Sequence, residues 1–218
     1  MKKISLLSLL FFVFNMATAQ QEISTAYATQ ATNMFAPLDK NRIPHKVLLD
    51  YGFEYTNLKA YNGTLSDSTV VDVPTLKHIY NTIFSSRVTS ATTGFINPNN
   101  FDSNWKNRTA GTITVSGLYY KYNAFINDAI NLGKVNFVNN QFQDKFVSGV
   151  WQNPYQEFQA FAMAPAISKY EGLSFTVKIP STIFYSNYQS LVQSIQIDFG
   201  NGAGYVTVPF NQNVTISY

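Results

Sequence analysis

Few side chains in this sequence are equipped for acid–base, nucleophilic or metal chemistry. Its 218 residues hold two histidines and no cysteine, which excludes disulfides and thiolate metal sites. His45 follows Pro44 in a polar stretch, and His78 sits between Lys77 and Ile79. Neither belongs to a His-Glu-x-x-His pattern or another metal-ligand spacing, so both read as structural histidines. A serine hydrolase would present its nucleophile in Gly-x-Ser-x-Gly between strand and helix, and no such pentapeptide occurs. The 12 acidic residues, among them Asp39, Asp50, Glu54, Asp67, Asp72 and Asp102, are scattered. Carboxylates paired for glycoside hydrolysis meet only in the fold, and these read more simply as solvated or capping groups. Gly200-Asn201-Gly202-Ala203-Gly204 invites a phosphate-loop reading, but that mechanism needs a helix N-terminus, and strand-like Tyr205 to Val208 follows. The reading is therefore non-catalytic, with no metal and no cofactor assigned.

The aromatics leave one opening for ligand chemistry. They make up 16% of the chain, against 12% charged residues. Trp105, Tyr119, Tyr120, Tyr122, Trp151 and Tyr155 would stack on the rings of a glycan if several of them shared an exposed face. Strand alternation sends about half of such a set into the core instead.

These side chains must be positioned by elements that the hydrophobic pattern predicts. Ile23, Tyr27, Ala31 and Met34 fit a helix one stripe wide, stopped by Pro37. Lys46 to Tyr55 reads as a strand or extended segment. Leu76, Ile79, Tyr80, Ile83 and Phe84 recur at three-and-four spacing, which predicts a helix over Pro74 to Arg87. Asp72 is placed to cap it, Pro74 suits its first turn, and Arg87 suits the negative end of its dipole. The Asn, Pro and Gly-rich stretch Thr89 to Asn107 reads as a long loop holding a domain boundary. From Gly111 onward, short strands separated by turn residues are expected at Thr112–Val115, Leu118–Tyr122, Lys134–Val138, Phe142–Val150, Phe158–Met163, Leu173–Ile179, Ser194–Phe199, Tyr205–Phe210 and Val214–Tyr218. Such spacing favours a sandwich or barrel. Ile195, Ile197 and Phe199 point opposite to Gln196 and Asp198, so this strand and the next form a hairpin with a core face.

The N-terminus has the three parts of a secretory signal peptide. Met1-Lys2-Lys3 is the basic region, Ile4 to Met16 the apolar stretch, and Ala17-Thr18-Ala19 the small-residue site that places cleavage between Ala19 and Gln20. The apolar stretch is shorter than the roughly 20 residues that span a bilayer. A secreted, periplasmic or cell-surface location is expected, with no membrane insertion after cleavage. Lys2 and Lys3 also account for two of the 15 basic residues, leaving the remainder nearly balanced by the acids. No basic stripe marks a nucleic-acid partner.

Two stretches resemble known families. Ile195-Gln196-Ile197-Asp198-Phe199-Gly200-Asn201-Gly202 is similar to the strand and turn of PKD-like immunoglobulin-type domains, with Asn201 in place of the usual Asp and Tyr218 as the tyrosine near the end of a later strand. Leu38 to Pro44, Leu48 to Gly52, Tyr61 to Leu65 and Leu76 to Arg87 resemble the N-terminal part of large, poorly characterised secreted Bacteroidetes proteins. A region further downstream in those proteins looks like an α/β-hydrolase. The resemblances imply a mainly β protein with an α-helical N-terminal part: signal peptide 1–19, a helical or mixed segment 20–108, and an immunoglobulin-like, PKD-like β-sandwich 109–218. PKD-like sandwiches continue past that tyrosine, so the sequence reads as an N-terminal fragment. The implied function is a secreted module for targeting, interaction or support, whose partners are other domains of the same polypeptide. The alternatives are the accessory front end of a secreted esterase or lipase and a glycan-binding module.

Overall fold

The computed structural model describes residues 29–30, 32–48, 60–64, 71–106, 111–166 and 170–218. The signal peptide and the expected extended segment beyond residue 48 lie outside them. The chain is mainly β. It divides into two compact units: Met1–Asp39 with Asn127–Pro154, and Lys40–Ile126 with Tyr155–Tyr218.

In the larger unit, the helix predicted from the apolar spacing is present as α1, Val73–Ser85. The Asp72 carboxylate accepts from the Thr75 amide at 2.9 Å, satisfying one of the unpaired donors of the first turn. Leu76, Ile79, Tyr80 and Ile83 form its buried face. The expected long loop after it contains a second helix, α2, Pro98–Lys106. Pro98 is at its first position, and the Asn97 side chain accepts from the Asn99 amide at 2.9 Å, the geometry of an N-cap. Phe101 and Trp105, four residues apart, are both buried. They give this otherwise polar helix its inward stripe.

The sheet beside these helices is built around β1, Thr112–Phe125. β6, Tyr155–Pro165, runs antiparallel to it, with Val115 opposite Pro165 and Phe125 opposite Tyr155. On the other edge of β1 two short strands follow one another in parallel: β7, Ser174–Lys178, beside Thr112 to Thr114, and β8, Phe184–Ser186, beside Gly117 to Tyr119. β11, Asn213–Ser217, closes the order antiparallel to β7. The two segments expected at Thr112–Val115 and Leu118–Tyr122 are thus one strand, and β8 was not expected.

Because strand side chains alternate, β1 and β6 divide their residues between two faces. The even-numbered face carries Leu118, Tyr120 and Tyr122 with Ala160, Ala162 and Ala164, in one core with α1, α2 and Tyr185. The alanines leave room for α1 to lie close on β6. The expected division at residue 108 therefore falls inside a single core. The odd-numbered face carries Val115, Tyr119, Phe161 and Met163, with Phe184, Ile195 and Ile197. It is covered in part by the predicted hairpin, β9 (Gln196–Asp198) and β10 (Tyr205–Thr207). Its turn uses positive φ at Gly200, Gly202 and Gly204.

In the smaller unit the strand expected at Lys134–Val138 is present, while the one expected at Phe142–Val150 is broken into pieces of two hairpins. β2 (Val135–Val138) pairs with β3 (Gln141–Asp144), and β4 (Phe146–Val147) with β5 (Val150–Trp151). Asn139-Asn140 and Ser148-Gly149 all have positive φ, as two-residue hairpin turns require. Phe35 stacks on Phe142 at 5.4 Å, and the Asp144 carboxylate accepts from the Asp39 amide at 2.8 Å.

Candidate functional site

The outward backbone groups of β1 explain how its most polar cluster is assembled. β8 pairs with Gly117 and Tyr119. Two residues on, the Asn187 side chain takes over the strand's role: its oxygen accepts from Lys121 N–H at 3.0 Å and its amide donates to Lys121 C=O at 2.8 Å. Two residues further, Asn123 N–H donates to Val47 C=O at 2.9 Å, and the Asn123 side chain accepts from His45 N–H at 3.2 Å. The segment carrying His45 is thereby stitched to the far end of β1.

This places the His45 ring between two partners. Nε2 lies 2.7 Å from a Glu157 oxygen of β6. A carboxylate only accepts, so Nε2–H donates to it, and Nδ1 shares a hydrogen bond with the Tyr188 hydroxyl at 2.9 Å. The other Glu157 oxygen accepts from Lys121 Nζ at 2.7 Å. Lys121 and, next, His45 hold the Glu157 carboxyl below its usual pKa, while Glu157 raises that of the Lys121 ammonium. Tyr188, His45 and Glu157 thus stand in the order hydroxyl, imidazole, carboxylate. Both ring nitrogens are engaged, and His45 is buried. Its partners come from positions no sequence motif links. His78 is exposed on α1. Among the described residues no group of three His, Asp or Glu side chains is arranged as a metal set.

Further along the same face, polarity falls. Gln159 and Tyr119 come next, the Tyr119 hydroxyl donating to the Gln159 side-chain oxygen at 3.0 Å; burial raises the Tyr119 pKa. They border an open groove of about 650 Å³, lined also by Tyr61, by Gln193 to Gln196 and by Tyr205. Tyr61 N–H binds the outward Gln159 carbonyl at 2.7 Å, and its ring packs 5.4 Å from that of Phe161. Beyond Phe161 a second, apolar groove of about 580 Å³ continues past Met163 to Phe175 and Phe199.

In the larger unit, the aromatics singled out in the sequence do not share an exposed face. Trp105 and Tyr120 are buried among the helices and Tyr155 is also buried, so they offer no exposed ring face for stacking. Burial raises the Tyr120 pKa far above its usual value, and its hydroxyl donates to the Gly94 carbonyl at 2.6 Å. Tyr122 is in the same core. Trp151 belongs to the smaller unit, where its Nε1 donates to Asp144 at 2.9 Å. Tyr119 lines a groove. Its neighbours there, Tyr61 and Tyr205, were missed because no local spacing links them.

Compared with family models, curated proteins and solved structures, the chain matches none.

Proposed function

We propose that the chain is an exported, non-catalytic binding module at the front of a larger extracellular protein. Its binding face is the odd-numbered side of β1 and β6. The observation that carries this reading is the groove beside Tyr119: concave, bordered by aromatic rings and amides, and of a size typical of ligand sites. The His45 network supports it as a clamp holding the polar end of that face, because the buried ring ties Tyr188 to Glu157 of β6. The PKD-like, immunoglobulin-like reading of residues 109–218 draws support from the β9–β10 turn and from the Tyr218 hydroxyl donating to the Phe199 carbonyl. The parallel pairing of β1 with β7 and β8 counts against a purely antiparallel sandwich.

The reading is tested by passing the secreted chain over immobilised extracellular polysaccharides and proteins and assaying it on ester, amide and glycoside substrates. Retention on at least one polymer without turnover is expected. Turnover abolished by His45→Gln would instead make the hydroxyl–imidazole–carboxylate chain catalytic, and retention on neither polymer would sink the module reading.

A further inference from the structure

Resting on the binding-module reading, we infer that the groove between Tyr119 and Tyr205 is a site for a neutral saccharide. Among the described residues, no acidic or basic side chain lines it. A charged ligand would lose its hydration there without gaining a counter-charge, which selects an uncharged one. What the groove offers is ring faces and side-chain amides. Tyr205, at the start of β10, is 64% exposed, and among the described residues no side chain engages its ring. Tyr119 is held by its bond to the Gln159 oxygen, an arrangement that leaves the Gln159 amide N–H groups available as donors. Gln193 and Gln196 add further amides along one wall. A sugar ring has an apolar C–H face and a rim of hydroxyls that donate and accept, and it matches aromatic faces flanked by amides.

A neutral extended peptide is the nearest competitor. Its usual way onto a sheet is pairing with an exposed strand edge. Along this part of β6 that route is obstructed, because Tyr61 N–H already occupies the outward Gln159 carbonyl. The groove therefore favours a ligand recognised through side chains.

Isothermal titration of the full secreted chain with neutral gluco-, manno-, xylo- and galacto-oligosaccharides tests the site, with a sulfated oligosaccharide and a neutral proline-rich peptide as contrasts. At least one neutral oligosaccharide is expected to bind and the sulfated one to bind more weakly. Tyr119→Ala and Tyr205→Ala should each weaken binding about tenfold or more, the scale of losing one ring from a stacking platform. Tyr205→Phe should retain it, and unchanged urea midpoints for the Tyr205 variants separate lost binding from lost folding. Binding of the peptide alone would overturn the saccharide assignment while leaving the module reading in place. Failure of every neutral saccharide, or binding insensitive to both alanine variants, would also overturn it.

Discussion

The two faces of the β1–β6 sheet are made by alternating residues of the same strands, yet they are finished differently. On the even-numbered face Tyr80 stacks on Phe101 at 4.3 Å and Tyr120 on Phe95 at 4.5 Å. The Tyr80 hydroxyl donates to Ile96 C=O at 2.7 Å and accepts from Ile96 N–H at 2.8 Å, and burial pushes its pKa up to about 12. Every polar atom in those bonds holds one element against another. On the odd-numbered face the hairpin covers only part of the sheet. Side chains there grade from the Lys121–Glu157 ion pair and His45 through Tyr119 and Gln159 to Phe161 and Met163. One face stores the stability, and the other leaves shaped surface over.

That comparison breaks if the even face is not the stabilising one. Tyr80→Ala should cost about 3–5 kcal/mol, as for other large-to-small changes in a core, read as a lowered midpoint in urea unfolding. Gly94→Ala probes the same face through its backbone. A Cβ there would lie 1.8 Å from the Ser186 carbonyl oxygen, at a φ of +79°. The left-handed backbone alone costs at least about 1 kcal/mol, and the overlap adds to it, so a clear drop in thermal midpoint is expected.

Changes on the odd face should be milder. His45→Ala leaves the Tyr188 hydroxyl and one Glu157 oxygen without their partner and is expected to cost about 1–3 kcal/mol, measurable by the same urea titration. Glu157→Gln should cost less than about 1 kcal/mol, because the pair it forms with Lys121 is largely solvated. The pH dependence sharpens this. Glu157 has a folded pKa below its ordinary value of 4.5, so its contribution is present above that value and disappears as pH falls through the lowered folded pKa. Wild type and Glu157→Gln should therefore converge in stability under acid conditions and separate toward neutrality.

The sequence made α1 legible because three signals agreed there: the spacing of Leu76 to Phe84, Pro74 at the start and Asp72 as cap. It hid α2, because the Asn and Pro residues that build the cap also read as loop, and only Phe101 and Trp105 mark the inward face. Asn139-Asn140 and Ser148-Gly149 escaped notice as hairpin turns because neither is the usual Asn-Gly pair. The β9–β10 hairpin, with its glycines and alternating apolar residues, was plain. The parallel partners of β1 have no local signature, since the pairing residues lie far apart in the chain. The same holds for the candidate site: His45 meets partners 112 and 143 residues away. Alternation told that Tyr119 and Tyr120 face opposite ways. Which of the two faces would be covered by helices depended on α2.

Those two neighbours give the most direct measurement. Urea unfolding of Tyr119→Ala and Tyr120→Ala, one residue apart on β1, compares the faces with all else held constant. The account predicts a loss of about 3–5 kcal/mol for Tyr120→Ala and about 1 kcal/mol for Tyr119→Ala. Equal losses, or a larger one at Tyr119, would contradict it.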